Sequence, residues 1–237
     1  PDPNALVATD AAPLPVEVVV RGRLTGSTST SILPRYLAGE RTLYGHILPD
    51  DLTPHGPLPE PIITPTTKAA AGRHDTPISV DEVVTSGLLD ADLWHRIQRI
   101  ALELFARGAK TAADAGFVLA DTKYEFGLDP DGELLLIDEV HTPDSSRFWA
   151  IDGLAERLAE GSGPEGFDKE PVRLALLAAG YTGDGPPPAL DPSVWSQTSD
   201  RYIDLYQRLT GHTFEPGDHP IEDRLHRNLA HLLDHHS

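Results

Sequence analysis

Residues 117–140 carry the feature that most restricts the fold. Phe117 to Phe126 (FVLADTKYEF) and Glu133 to Val140 (ELLLIDEV) are rich in aliphatic, aromatic and β-branched residues, and Asp129-Pro130-Asp131-Gly132 lies between them. Pro presets φ for a turn and Gly accepts positive φ, so the segment predicts an antiparallel hairpin. The two-residue period of a strand then puts Asp121, Lys123 and Glu125 on one face. A symmetric turn places Asp138 opposite Lys123. Four ionisable groups would line one surface of a ribbon. Such a row is either a solvated face or a site for charged ligands, and the pattern alone weighs the two equally.

A second β-type run, Pro15 to Leu24 (PVEVVVRGRL), puts Glu17 and Arg21 on one face and Val16, Val18 and Val20 on the other. Gly22 and Gly26 bracket its end, and a hydroxyl-rich STSTS loop follows. From Leu48 to Ala71 the density of proline forbids a long helix, because each lacks an N–H and restrains its neighbour. An ordered loop is expected there, with one short strand at Ile62 and Ile63.

Helical signals occupy much of the remainder. Ser79-Val80-Asp81-Glu82 is a capping box. A longer helix is expected from near Asp90, with Leu93, Ile97, Ile100, Ala101, Leu104 and Phe105 forming an apolar stripe and Gly116 ending it. Asp168 to Ala179 predicts a helix with Pro171 in its first turn. Gly183 to Pro192 predicts a break, then a helix from Ser199 to Leu209 capped by Gly211, then one from Ile221 to Leu233. The fold class that follows is α+β: an antiparallel sheet with flanking helices.

Charge narrows the partners. Among 237 residues, 37 are acidic and 19 basic, for a formal net charge of -18. That field disfavours nucleic acid and anionic membranes. With no cysteine, disulfides and thiolate metal sites are excluded. No stretch is long and apolar enough for a membrane helix, so a cytoplasmic protein is expected. An anionic ligand would need local convergence of Arg and Lys, or a divalent cation bridging carboxylates to it.

Five motifs together resemble the phosphoribosylaminoimidazole-succinocarboxamide synthase family. They are VVRGRLTGS at Val19 to Ser27, PTTK at Pro65 to Lys68 with HDTPIS at His74 to Ser79, DTKYEFG at Asp121 to Gly127, IDEVHTPDSSRFW at Ile137 to Trp149, and DKEPVR at Asp168 to Arg173. The resemblance runs from about Pro15 to Phe214. It implies ATP-dependent ligation of L-aspartate to the carboxylate of carboxyaminoimidazole ribonucleotide, in purine biosynthesis, through an acyl phosphate. It also implies a two-lobed ATP-using fold.

The resemblance implies roles for individual residues. Lys123, Asp121 and Asp75 are expected to be catalytic. Arg21, Ser27, Lys68, His74, Asp144, Ser146, Arg147, Lys169 and Arg173 are expected to bind substrate, with Ser27 and Arg147 on the ribonucleotide phosphate. Glu125 and Asp138 are expected at ATP and Mg2+. Plainer readings stand beside these: Arg21 as a strand-edge surface ion pair, Lys68 as a solvated loop lysine, and Lys169 with Arg173 as an ordinary helix surface.

The family begins with a small β-rich lobe that closes over ATP. Residues 1–14 are expected to be a remnant of that lobe or a linker, and residues 15–237 the substrate- and ATP-binding body. Such a chain alone would turn over slowly. Two other classes remain: a non-catalytic descendant that binds nucleotide or purine intermediates, and an acidic interaction protein without a small-molecule site. Monomer and homo-oligomer are both open.

Overall fold

The computed structural model describes residues 2, 4–68, 76–181 and 185–233. The strands are β1 (Ala12–Arg23), β2 (Thr42–Leu43), β3 (His46–Ile47), β4 (Pro57–Thr67), β5 (Thr76–Pro77), β6 (Phe117–Leu128), β7 (Leu134–Ile137) and β8 (Ser146–Ala150). The helices are α1 (Ile32–Leu37), α2 (Val80–Thr85), α3 (Ala91–Asp114), α4 (Leu154–Ala159), α5 (Glu170–Ala178), α6 (Pro192–Thr210) and α7 (Ile221–Leu233). The main sheet runs β5-β4-β1-β6-β7, with β8 also paired to β6, and its pairings are antiparallel. The expected α+β class is the observed one.

Alternation in β1 and β6 divides the sheet into two faces. Val16, Val18 and Val20 are buried against Tyr124 and Phe126, while Glu17 and Arg21 stand on the opposite side with Asp121, Lys123 and Glu125. The amphipathic helix α3 covers the apolar face. Its Trp94, Ile97, Ala101, Phe105 and Ala112 are buried there, as a 3.6-residue period requires. Asp90 caps the helix by accepting from the Leu93 N–H at 2.9 Å. Truncating Phe105 to Ala would cost about 3–5 kcal/mol, because the cavity would open in a packed interior. The capping box at Ser79 and Glu82 starts α2 as expected.

The pairing of β6 with β8 is interrupted between Leu119 and Asp121. Leu119 pairs with Phe148 but Asp121 pairs with Arg147, so β6 carries one extra residue, Ala120, at a bulge. Phe117 and Leu119 belong to the core under α3, whereas Ala120 packs with Trp149 and Leu154 in a separate cluster. The bulge thus turns Asp121, Lys123 and Glu125 away from the face occupied by Phe117 and Leu119.

The hairpin is present but shorter and differently registered than a symmetric turn predicts. The Asp129 side chain accepts from the N–H groups of Asp131 and Glu133, and Gly132 takes φ 83°. Ile137, not Asp138, ends β7 and pairs with Glu125. Asp138 follows with φ 64°, so register does not set it opposite Lys123. Glu139 and Val140 also lie beyond the strand.

The Pro-rich segment departs further from expectation: Pro57–Thr67 is an 11-residue strand. Pro65 directs its carbonyl away from β1, accepting from the Ile78 N–H at 3.2 Å. Its missing N–H therefore costs no bond to β1. Pro59 and Pro61 fall where the β1 register breaks, between Arg21↔Ile62 and Arg23↔Pro57. Proline is tolerated at such irregular and edge positions.

A further difference has a local cause. Helix α6 begins at Pro192, not Ser199, because Pro fits the first helical position and Asp191 caps it through the Ser193 N–H at 2.8 Å. Residues 146 and 147 open β8 because their backbones pair with Thr122 and Asp121.

Candidate active site

The polar sheet face bears two groups of charges. At one end Arg21, Asp121 and Arg147 form a row across β1, β6 and β8, each directly registered with its neighbour. Asp121 accepts from Arg21 Nη1 at 2.7 Å and from Arg147 Nη1 at 2.9 and 3.0 Å. Arg21 also donates Nε–H to Thr64 Oγ1 at 3.0 Å. Asp121 is only 3% exposed, so its charge is committed to these two guanidinium groups. Burial pulls the Arg21 pKa down while Asp121 supports the cation. Asp121, followed by burial acting in the opposite sense, leaves Arg147 with a raised pKa. The plain reading of Arg21 as a surface ion pair is not what the fold contains, since the pair is buried.

At the other end, four charged groups gather around Lys123. Its ammonium donates to Glu17 Oε1 at 3.1 Å and to Glu125, and lies 3.6 Å from Asp138 Oδ2. Lys68, from the end of the PTTK run, donates to the other Glu125 oxygen. Burial alone would pull Lys123 down, but hydrogen bonds and charge from Glu125 and Glu17 hold its pKa above the usual lysine value. Burial would raise Glu125, yet Lys123 and Lys68 hold it well below the usual carboxylate range. Lys123 is therefore a cation and Glu125 an anion near neutrality.

A cleft of about 430 Å³ opens beside the arginine row. Ser27, His55, Arg147, Trp149, Arg157, Asp168 and Arg201 are among the residues that line it. Gly26 shapes the loop that presents Ser27. Its φ is 109°, and a Cβ there would lie 2.3 Å from Ser31 Cβ, so only glycine fits. Arg157 and Arg201 hold the opposite wall by donating to the Gly163 and Gly166 carbonyls at 3.0 and 2.9 Å.

A smaller cavity of about 100 Å³ joins Asp121, Asp144, Ser146, Arg147, Lys169 and Arg173. Ser146 is buried and donates to Thr122 Oγ1 at 2.7 Å. Asp144 accepts from the Tyr202 hydroxyl at 3.1 Å. Arg173 pairs with Glu170 on the first turn of α5, and Lys169 precedes that helix as its cap residue. Burial pushes the Asp168 carboxyl up to about 6, although its Oδ1 accepts from the Glu170 N–H at 2.9 Å.

Most of the residues singled out in the sequence thus meet on this face and its flanking cavities. His74 and Asp75 lie outside the described residues. Sequence reasoning missed Glu17, His55, Arg157, Asp168 and Arg201. Glu17 was legible, since it shares its strand face with Arg21. Arg157 and Arg201 sit in helices that carry no local signal of convergence.

Among the described residues, no three His, Asp or Glu side chains are arranged to hold a metal by themselves. Yet Glu125 and Asp138 converge on one ammonium, so their oxygens already face a shared cation position. Mg2+ suits this, because it takes oxygen ligands and uses one or two carboxylates with waters and substrate phosphates.

A profile of the SAICAR synthetase family matches residues 1–187. A protein of Mesorhizobium japonicum is 47% identical over 233 residues, covering 97% of this chain and 74% of that protein. The phosphoribosylaminoimidazole-succinocarboxamide synthase of Legionella pneumophila (strain Lens) is 42% identical over 239 residues, covering 98% of this chain and 75% of that enzyme. Among solved structures, the Saccharomyces cerevisiae SAICAR synthase complexed with SAICAR superposes with a TM-score of 0.70 at 32% identity. That match covers 87% of this chain and 64% of the yeast chain, so this chain spans less than two thirds of that structure. A SAICAR synthetase in complex with ADP superposes with a TM-score of 0.59 at 26% identity, covering 87% of this chain and 67% of that one. With its sequence and its fold in common with these relatives, the chain belongs to the SAICAR synthetase family, the ATP-dependent ligases of purine biosynthesis.

Proposed function

We propose that this face ligates L-aspartate to the carboxylate of carboxyaminoimidazole ribonucleotide, with ATP cleaved to ADP and phosphate. One observation carries the reading: an Arg21–Asp121–Arg147 row centred on a buried carboxylate lies on the same sheet face as the Lys123 cluster. The arrangement offers a net cationic row at one end, suited to a phosphate, and at the other two lysines among three carboxylates, a group that becomes net positive when a divalent cation binds. It also answers how a chain of net charge -18 binds anions. Arg21, Arg147, Arg157, Arg173 and Arg201 are gathered at or beside the cleft and its neighbouring cavity.

A carboxylate is a poor electrophile, because its charge repels an amine. In this reading its oxygen takes the γ-phosphoryl group of ATP and ADP leaves. The aspartate amine then attacks the acyl carbon, and phosphate departs with the former carboxylate oxygen. The ammonium of aspartate gives up two protons in all. The protein's contribution is positioning and charge neutralisation. Lys123 neutralises the substrate carboxylate and then the transferred phosphoryl oxygens. Lys68 is the second cation there. Asp121 holds both arginines at fixed angles, Ser27 and Arg147 take the ribonucleotide phosphate, and Asp75 and His74 hold the amino- and carboxylate-bearing end. Asp144, Ser146, Lys169 and Arg173 line the adjoining wall. Glu125 and Asp138 would hold Mg2+, which supplies charge neutralisation on the nucleotide phosphates.

The test is ADP release from ATP by the purified protein. Release should require both L-aspartate and the ribonucleotide, and the ribonucleotide alone should raise the melting temperature. ADP release that ignores either substrate contradicts the ligase reading.

A further inference from the structure

His55 is the unusual residue of the cleft. It sits in the loop before β4 with φ 63°, a conformation uncommon for a residue with a side chain. Backbone bonds to Leu24 hold it: the His55 N–H donates to the Leu24 carbonyl at 2.9 Å, and the Leu24 N–H donates to Gly56 at 2.9 Å. The imidazole meets the Trp149 ring edge to face, with centroids 5.6 Å apart. Its Nδ1 is fully buried and has no hydrogen-bond partner among the described residues. Both aromatic rings line the cleft beside Ser27 and Arg147.

An enclosed nitrogen without a partner decides the tautomer. An orphaned N–H donor is rarer and costlier in a protein interior than an under-used acceptor. Nδ1 is therefore the bare nitrogen, and the proton resides on Nε2. Burial and the charge of Arg147 both depress the imidazole's pKa, with Glu170 opposing them, so the ring is neutral near pH 7. A neutral imidazole whose Nδ1 is walled in has one donor left, Nε2–H, on a ring that lines the cleft.

We propose that His55 is a binding residue for the phosphate monoester of the ribonucleotide, donating Nε2–H to a phosphate oxygen beside Ser27 and Arg147. This rests on the reading of the cleft given under Proposed function. The division of labour is physical. Arg147 supplies charge; His55 supplies a directional donor whose orientation is fixed by its backbone and by Trp149. The bond is made to the ground state and the transition state alike, so its loss weakens binding without slowing the chemical step.

Two substitutions separate the donor from the fold. His55→Phe keeps an aromatic ring against Trp149 and removes the donor. His55→Gln can place an amide N–H near the Nε2 position. Both put a non-Gly side chain at the same positive φ, so the difference between them reads the donor. Calorimetric titration would use the succinocarboxamide ribonucleotide and the corresponding nucleoside lacking phosphate, with melting temperatures of the free proteins as the fold control. His55→Phe should weaken ribonucleotide binding about tenfold, and His55→Gln should restore most of it. Neither should change nucleoside binding, and in steady state the loss should appear in the ribonucleotide KM with kcat and the ATP KM unchanged. Equal ribonucleotide affinity in His55→Phe and the parent overturns the His55 assignment while leaving the cleft's reading intact. An equal loss for ribonucleotide and nucleoside also overturns it. A parent protein that binds no ribonucleotide overturns both.

Discussion

The Asp121 carboxylate accepts hydrogen bonds from Arg21 at 2.7 Å and from Arg147 at 2.9 Å, joining three strands by one buried anion. Replacing it with Asn leaves the buried Arg21 guanidinium and the partly exposed Arg147 guanidinium facing each other without a counter-charge. Breaking a buried pair in this way costs about 3–5 kcal/mol. Asp121→Asn should lower the urea midpoint accordingly and weaken ribonucleotide binding. An unchanged midpoint would show that the row carries no such charge coupling.

Lys123 stands among Glu17, Glu125 and Asp138 with its side chain about a third exposed. Lys123→Ala should reduce aspartate-dependent ADP release by about a hundredfold or more. Circular dichroism should show the fold retained, because the residue is on the polar face and not under α3. Parental activity in this variant would remove Lys123 from the chemistry.

Glu125→Gln keeps the shape of the side chain and removes its charge. The Mg2+ concentration needed for half-maximal ADP release should rise about tenfold or more, since a carboxylate ligand is replaced by a neutral amide. Initial rates across a Mg2+ titration measure this. An unaltered requirement would place the metal on other residues.

Asp168 predicts a pH dependence with a defined sign. Its carboxyl is raised from 3.8 to about 6 by burial, so the folded state binds this proton more tightly than the unfolded chain does. Stability from this group is present below 3.8, falls as the pH rises between the two values, and is lost above about 6. The cost at neutral pH is up to about 3 kcal/mol. Asp168→Asn keeps the acceptor for the Glu170 N–H and removes the charge. It should therefore raise the urea midpoint more at pH 8 than at pH 5. An equal change at both values would contradict the burial argument.

Local signals made much of the scaffold legible, and contacts between distant segments account for most of what was not. The capping box at Ser79, the stripe on α3 and the alternation of Asp121, Lys123 and Glu125 each depend on neighbours a few residues apart, and each is present in the fold. Strand β4 was hidden because its prolines forbid regular pairing in general but not at an edge or a register break. The shared counter-charge of Arg21 and Arg147 required the registers of β1 and β8 on β6, which no local pattern encodes. The cleft wall depends on Arg157 and Arg201 reaching glycine carbonyls, one of them 35 residues away. His55 gave no periodic signal, since its place follows from a left-handed loop conformation.

The fate of the substrate's carboxylate oxygen tests the central claim most directly. Ribonucleotide labelled with oxygen-18 in that carboxylate would be turned over with ATP and L-aspartate, and the released phosphate analysed by mass spectrometry. Activation as an acyl phosphate predicts one labelled oxygen in each phosphate formed, with the other retained in the new amide carbonyl. Unlabelled phosphate, formed together with the amide product, would contradict carboxylate phosphorylation at this site.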